Sequence, residues 1–147
     1  MSTEAPPQAP GTYLTLLLGE EEYGVPITRV REIVGVQPVI PVPNRPAIVD
    51  GVINLRGVVI PVINLRRAFG LPEGIVDEQN VIIVIDNGAD GRVGLAADRV
   101  KEVITFAPGD VEPPPRLSTQ GALVAGIGKT QGRIRILLDL APLTDAL

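Results

Sequence analysis

Residues 49–62 contain two apolar runs, rich in Val and Ile, that meet at a single Leu-Arg-Gly corner. Runs of β-branched side chains without helical spacing predict strands that are buried on both faces. Gly57 can adopt a positive φ, which allows a tight reversal between the two runs. Gly51 has no side chain, which permits a β-bulge or the close approach of another backbone. The stretch therefore predicts a β-hairpin.

The composition of the whole chain also favours short strands. Fifteen Pro and sixteen Gly among 147 residues argue against long helices, and an aromatic content of 3% requires an aliphatic core. The apolar runs and turn residues predict about ten strands. Apolar residues at helical spacing from Ile27 to Val34 predict one helical turn that leads into a strand at 33–36. A second helical turn is predicted just before Gly70, which stops it.

The chain is expected to form one domain with two halves. Residues 1–11, rich in Pro and Ala and without periodicity, predict a disordered tail. Residues 12–147 form the domain, and the loop after Gly70 is expected to divide its two sets of strands near residues 70–80. Two small closed barrels suit this number of strands better than one open sheet, because closure removes exposed strand edges.

Charge and residue types exclude several classes of function. A net charge of −4 and a pI near 4.8 disfavour nucleic acids and anionic membrane surfaces as partners. The absence of Cys excludes disulfides, and the absence of His removes the commonest general base and metal ligand. No apolar run approaches the ~20 residues of a membrane span, and the first residues lack the features of a signal peptide. We therefore expect a cytoplasmic protein with no metal, no cofactor and no membrane insertion.

Local patterns that resemble catalytic or ligand-binding motifs are weak. Asp-Gly at 50–51 and Asp-Leu at 139–140 lack the hydroxyl residue of an aspartic-protease loop. Residues 126–130 end like a phosphate-binding loop but lack its first Gly and lie between two predicted strands. The acidic cluster at 86–90 is not followed by the bidentate Glu of a calcium loop. The acids at 20–22 lie in a predicted turn and are expected to be solvated.

The central hairpin resembles the signature of the CheW-type coupling proteins of bacterial chemotaxis. The matching residues are Gly-Val-Ile-Asn-Leu-Arg-Gly at 51–57, followed by an apolar strand that contains Pro61 and by Asn64-Leu65. Glu-Glu-Tyr-Gly at 21–24 and Val-Arg-Glu-Ile at 30–33 precede it in the family's order. The resemblance extends from Tyr13 to about Leu143. It implies a mostly β fold of two five-stranded SH3-like barrels around a shared apolar core, with a few short helical turns.

The resemblance also implies a function. Proteins of this family are non-catalytic scaffolds that couple chemoreceptors to the histidine kinase CheA and are recruited to membrane receptor arrays. The helical tip of a methyl-accepting chemoreceptor would bind the groove between the barrels, and the regulatory domain of CheA would bind one barrel end. The receptor-binding candidates are Val30, Glu32, Ile33, Arg56 and Val100. The kinase-binding candidates are Asp50, Gly51 and Val59, although relatives often carry a basic residue in place of Asp50.

Other interpretations remain open. The chain could be the coupling protein of a related pathway such as twitching motility. In a different class, it could be a small β-barrel ligand-binding or enzymatic domain, which would need a deep polar pocket. Arg56 could cap backbone carbonyls at its corner, present a cation to a partner helix, or do both. Apolar residues such as Val30 and Ile33 usually belong to a core, and only the resemblance places them at a groove.

Overall fold

The structure is a computed structural model that describes residues 10–114 and 123–147, which form two β-sheets. The six strands of the first sheet are β1 Gly11–Leu18, β2 Glu21–Pro26, β8 Arg99–Phe106, β9 Val111–Glu112, β10 Val124–Thr130 and β11 Arg133–Leu138. The five strands of the second are β3 Val30–Gly35, β4 Val49–Leu55, β5 Val58–Asn64, β6 Val81–Asp86 and β7 Arg92–Ala97. The predicted predominance of short strands is confirmed.

Each sheet curls until its two sides meet. The first sheet has the order β8-β1-β2-β11-β10-β9, and β8 at one edge also contacts β10 near the other. The second has the order β3-β6-β7-β5-β4, and an ion pair joins β3 at one edge to the turn that follows β4 at the other. We call the two units the first barrel and the second barrel. The first has six strands instead of the expected five because the two-residue β9 adds to its edge.

Within the residues that the structure describes, the chain passes between the barrels twice. A single 3₁₀ turn, Ile27–Arg29, leads from β2 to β3 and is called the first crossing. Asp98, the one residue between β7 and β8, is called the second crossing. Residues 71–80 connect two elements of the second barrel, so the expected division near residues 70–80 does not separate the barrels. Strand pairing between distant parts of the chain, which local patterns do not reveal, determines this nested arrangement.

Over residues 10–114 and 123–147, helical structure is confined to short segments. The helix α1, Leu65–Ala68, begins where the Asn64 side chain accepts a hydrogen bond from the Arg67 amide, and it ends before Gly70, whose φ is 70°. The helix α2 spans Leu140–Asp145, and 3₁₀ turns occupy Gly88–Asp90 and Pro108–Asp110. No helix within the described residues combines the length and the hydropathy that crossing a membrane requires.

Two expectations about the N-terminal third need correction. The helical turn predicted from Ile27 is only three residues long, and Val30 and Ile33 lie on β3 because this β-branched segment pairs with β6. The strand expected at 33–36 therefore begins earlier, at Val30. The expected tail at 1–11 lies outside the described residues over 1–9, and Gly11 already belongs to β1.

Among the described residues the core is mainly aliphatic, as predicted, and has three parts. Both barrels contribute to a shared core that lies between them, with members such as Leu16 and Val25 from the first barrel and Ile63 and Leu95 from the second. A smaller cluster that includes Ile53 fills the second barrel. The interior of the first barrel holds Tyr13, Phe106 and Leu137, and the two aromatic rings meet edge to face at 5.8 Å. Most side chains that fix the position of one barrel against the other are therefore apolar.

Candidate functional site

The Leu-Arg-Gly corner is a two-residue hairpin turn in which both central residues have positive φ. Arg56 has a φ of 53° and Gly57 a φ of 86°, which is typical of the turns that match the twist of a β-hairpin. The side chain of Asn54 accepts a hydrogen bond from the Gly57 amide at 2.8 Å. The predicted tight reversal at Gly57 is confirmed, and the Asn54 bond explains how a non-glycine residue is held beside it.

Arg56 forms an ion pair with Glu32 on β3. Arg56 lies in the turn that follows β4, so the pair links the two edges of the second sheet, β4 and β3, at this corner. Of the two side chains, that of Arg56 is 65% exposed and that of Glu32 is 30% exposed. Within residues 10–114 and 123–147, no backbone carbonyl accepts a hydrogen bond from the Arg56 guanidinium. The carbonyl-capping interpretation of Arg56 is therefore wrong, and the guanidinium stays accessible at the surface.

The remaining receptor-binding candidates lie near the crossings. Val30 is the residue after the first crossing, and Val100 follows the second crossing by two positions. Both are half-buried against the shared core. Ile33 points outward from β3 and is 43% exposed. The structure thus brings Glu32 and Arg56 into direct contact and places one apolar candidate on each barrel beside the junction.

The kinase-binding candidates have different environments. Val59 on β5 is 64% exposed, and its neighbour Val58 is exposed as well. Ile40 and Val42, from the proline-rich segment that precedes β4, are also exposed, and Ile40 pairs with Val52 of β4. These four side chains, Ile40, Val42, Val58 and Val59, are called the β4–β5 apolar residues. Val59 lies on the outer face of the hairpin, Val58 lies at the open end of its inner face, and Ile40 and Val42 add apolar surface beside β4.

Gly51 is buried and faces its own chain. A Cβ placed there would lie 2.2 Å from the carbonyl oxygen of Ile40, and the pairing of β4 with β5 shifts register between Val49 and Gly51. The predicted bulge and close backbone approach are confirmed. The approaching backbone, however, belongs to Ile40 of the same chain, so Gly51 cannot offer its missing side chain to a partner.

The Asp50 carboxylate also has partners within the chain. It forms an ion pair with Arg67 of α1 at 2.9 Å and accepts weaker hydrogen bonds from the Asn64 amide. A hydrogen bond from Arg67 to Glu73 and then the charge of Asp50 raise the pKa of Arg67. Asp50 therefore anchors α1 to the start of β4, and only part of its side chain is open to solvent.

Sequence reasoning missed a buried ionic cluster in the first barrel. Glu22 is 7% exposed and Arg135 is completely buried, and their side chains pair through Nε and Oε2 at 2.9 Å. Arg133 and Lys101 also pair with Glu22, and Arg135 reaches Glu102 at 3.4 Å. The expectation that the acids at 20–22 are all solvated is wrong for Glu22. The alternation of Arg133 and Arg135 along β11 was the available signal, because alternate residues share one face of a strand.

A second missed pair lies at the second crossing. Asp98 accepts hydrogen bonds from Arg66 Nε at 2.9 Å and Arg66 Nη2 at 2.5 Å. The amide of Gly19, in the turn between β1 and β2, donates to the same carboxylate at 2.7 Å. The bonds from Arg66, followed by the bond from Gly19, lower the pKa of Asp98 in spite of partial burial. Asp98 is therefore an anion held by both barrels.

The polar groups of the cavity beside α1 are already engaged. This cavity, of about 260 Å³, lies between the loop after α1 and the ends of several strands of the second barrel. Asp50, Arg66 and Asp98 line it, and all three are paired within the chain. In the part of the chain that the structure describes, no three His, Cys, Asp or Glu side chains are grouped as metal ligands. These three charged side chains of the cavity are therefore engaged within the chain.

Comparison with known proteins decides the family. A model of the CheW-like domain matches residues 12–147. This chain belongs to the CheW-like family. The chemotaxis protein CheW of Treponema pallidum is 39% identical over 132 residues, which cover 86% of this chain and 78% of the relative. The chemotaxis protein CheW of Klebsiella aerogenes is 34% identical over 136 residues, which cover 91% of this chain and 81% of the relative.

A solved structure confirms the fold. The crystal structure of the scaffolding protein TtCheW from Thermoanaerobacter tengcongensis matches with a TM-score of 0.81 and 35% identity, and the match covers 90% of each chain. The predicted fold class, mostly β with two small SH3-like barrels packed together, is therefore confirmed. The resemblance that the central hairpin indicated is confirmed for the whole CheW-like domain.

Proposed function

We propose that this CheW-like chain is a non-catalytic adaptor of bacterial chemotaxis that couples chemoreceptors to the histidine kinase CheA. The observation that carries the proposal is the family match over 12–147, to which relatives named chemotaxis protein CheW and a scaffolding protein add support. The names of these relatives favour chemotaxis over a related pathway such as twitching motility. The adaptor would act in the cytoplasm and be recruited to membrane receptor arrays by its partners.

The receptor tip would bind along the groove between the barrels. A helix in a groove needs apolar contacts and a few polar anchors. Val30 and Val100 supply apolar side chains from the two barrels, and Ile33 extends the apolar surface outward. The exposed pair of Glu32 and Arg56 supplies one acceptor and one donor, which can exchange their mutual contact for contacts with receptor side chains.

The kinase would bind the outer surface of the β4–β5 hairpin, with Val59 at its centre. The β4–β5 apolar residues match the apolar middle of a protein–protein interface. Asp50 and Gly51 support this surface from below. Gly51 lets the Ile40 segment lie against β4, and Asp50 ties the start of β4 to α1. Their contribution to kinase binding is therefore mainly to hold the exposed residues in place.

Titration calorimetry against the isolated regulatory domain of CheA, followed by a receptor-tip fragment, tests the proposal. We expect binding to both partners and receptor-dependent activation of CheA when all three are mixed. Val59→Asp should weaken kinase binding, whereas Ile33→Asp should weaken receptor binding and leave kinase binding intact. A folded chain that binds neither partner would overturn the proposed function. A Val59→Asp variant with normal kinase affinity would move the kinase surface elsewhere.

A further inference from the structure

The second crossing is a single residue that bonds to both barrels. The backbone amide of Asp98 donates to Leu17 of β1 at 3.1 Å, and its carbonyl accepts from the Asn80 side chain at 3.1 Å. Its carboxylate bridges the Gly19 amide of the first barrel and the Arg66 guanidinium of the second. A residue in this position has almost no freedom to rotate unless one of these bonds breaks.

Arg66 is itself held in a fixed orientation. It contacts both carboxylate oxygens of Asp98, and its Nη1 donates to the Pro72 carbonyl at 2.9 Å. The two side chains are 19% and 23% exposed, so water screens their interaction less than it screens the pair of Arg56 and Glu32. A two-point contact of this kind fixes an angle as well as a distance.

Among the described residues, no side chain of the first crossing forms a hydrogen bond to the first barrel. Arg29 of this crossing donates to the Asp86 carbonyl at 2.8 Å and more weakly to the Asn87 side chain, and both residues belong to the second barrel. Elsewhere between the barrels, the shared core consists mainly of aliphatic side chains. Apolar packing resists separation but is not directional. The bonds of Asp98 therefore provide directional control of the angle between the barrels.

We infer that Asp98 and Arg66 are positioning residues that set the width of the groove between the barrels, and through it the coupling of receptor to kinase. The inference rests on the proposed function. Val100 follows Asp98 by two positions, and Val30 lies on the other barrel next to the first crossing. A rotation at the second crossing would change the separation of these two apolar side chains without moving the β4–β5 apolar residues relative to their own barrel.

Spin-label distances test the geometric part of the inference. The chain has no Cys, so Ala89→Cys and Ile134→Cys introduce one label on an exposed site of each barrel. Distances are measured by pulsed electron resonance in the parent, in Asp98→Ala and in Asp98→Asn, which keeps one oxygen for the Gly19 amide. Lys129→Ala is the matched control, because its 2.9 Å ion pair with Glu112 lies wholly within the first barrel. Circular dichroism spectra identify the conditions in which every variant is folded, and the distances are measured under those conditions.

We expect a broader distance distribution in Asp98→Ala, a smaller change in Asp98→Asn and none in Lys129→Ala. Receptor-dependent activation of CheA should fall by roughly fivefold or more in Asp98→Ala, while affinity for the isolated kinase domain stays unchanged. An unaltered distance distribution in folded Asp98→Ala and Asp98→Asn would overturn the inference. A broadened distribution with full activation would overturn its functional half. If the parent chain itself fails to activate CheA, the proposed function fails, while the distances still decide whether Asp98 sets the geometry.

Discussion

Glu22 and Arg135 form an ion pair inside the first barrel, with 2.9 Å between Oε2 and Nε, although 113 positions separate them along the chain. They lie on the parallel neighbours β2 and β11, and both side chains are almost or entirely removed from solvent. Removing one partner of a buried pair leaves the other charge without compensation, which is far more costly than losing an exposed pair.

We therefore expect Glu22→Ala to destabilise the chain by ~3–5 kcal/mol in urea unfolding. Arg135→Met should cost less, because Arg133 and Lys101 still neutralise Glu22. Glu112→Ala, which removes an exposed pair, is the control and should change stability by about 1 kcal/mol or less. Equal losses for Glu22→Ala and Glu112→Ala would show that the buried cluster has no special role in stability.

Gly51→Ala should destabilise the chain because its Cβ would overlap the carbonyl of Ile40 and because its φ of 150° disfavours side chains. Overpacking of this kind typically costs ~1–3 kcal/mol. Gly35→Ala is the control, since a Cβ at Gly35 meets no heavy atom within 4 Å. Thermal unfolding of both variants measures the difference. The Gly51→Ala variant should lose kinase binding only to the extent that it unfolds. A fully folded Gly51→Ala variant that no longer binds the kinase would contradict this account.

Arg56→Lys should remain folded with nearly unchanged stability, because an exposed ion pair contributes ~0–1 kcal/mol. Arg56→Gly should also be stable, since glycine adopts the positive φ of this position without strain. If the guanidinium contacts the receptor, both variants should reduce receptor-dependent kinase activation while binding the kinase normally. Thermal unfolding measures the stability of each variant, and kinase activity in a mixture of the variant, CheA and the receptor-tip fragment measures activation. Full activation by folded Arg56→Gly would exclude a recognition role.

The contribution of Asp98 to the stability of the folded chain should decrease in acid. Its folded-state pKa is below the ordinary value of 3.8, chiefly because Arg66 donates to it, so the carboxylate stabilises the folded state above that value. This contribution is lost as the pH falls through the folded pKa. The difference in unfolding free energy between the parent and Asp98→Asn should therefore be constant near neutral pH and shrink in acid. A difference that does not change with pH would point to a steric cause.

The two tyrosines should lose their phenol protons at a higher pH than free tyrosine does. Burial, and then the charge of Glu21, raise the pKa of Tyr23 to about 12, and burial raises the pKa of Tyr13. Neutral Tyr23 thus contributes stability that is complete below pH 10, its ordinary pKa, and is lost as the pH rises from there towards 12. Absorbance at the phenolate band gives the midpoints, and Tyr23→Phe assigns them. A midpoint for Tyr23 near 10 in the folded chain would contradict this expectation.

Local sequence signals were sufficient for the β4–β5 hairpin and for α1. A two-residue turn with Gly57, an Asn at the start of the helix and a Gly at its end are all encoded within a few residues. The division of the chain into barrels was not accessible in this way, because β2 pairs on its second side with β11 and not with β3, the next strand in sequence. The burial of Glu22 follows from the same distant pairing. Arg56 was recognised as unusual, but its partner Glu32 is on a strand that local patterns assigned to a helical turn.

The nesting of the second barrel between β2 and β8 implies an order of events during synthesis of the chain. The hairpin of β1 and β2 leaves the ribosome first, yet its sheet partners β8 and β11 are made only after all five strands of the second barrel. The second barrel, by contrast, has its strands consecutive in sequence and can pair them as soon as β7 emerges. The second barrel should therefore fold first, while the apolar faces of β1 and β2 remain unpaired until β8 and β11 have been made. We expect this chain to be most prone to aggregation during that interval, because those apolar faces and strand edges are then exposed.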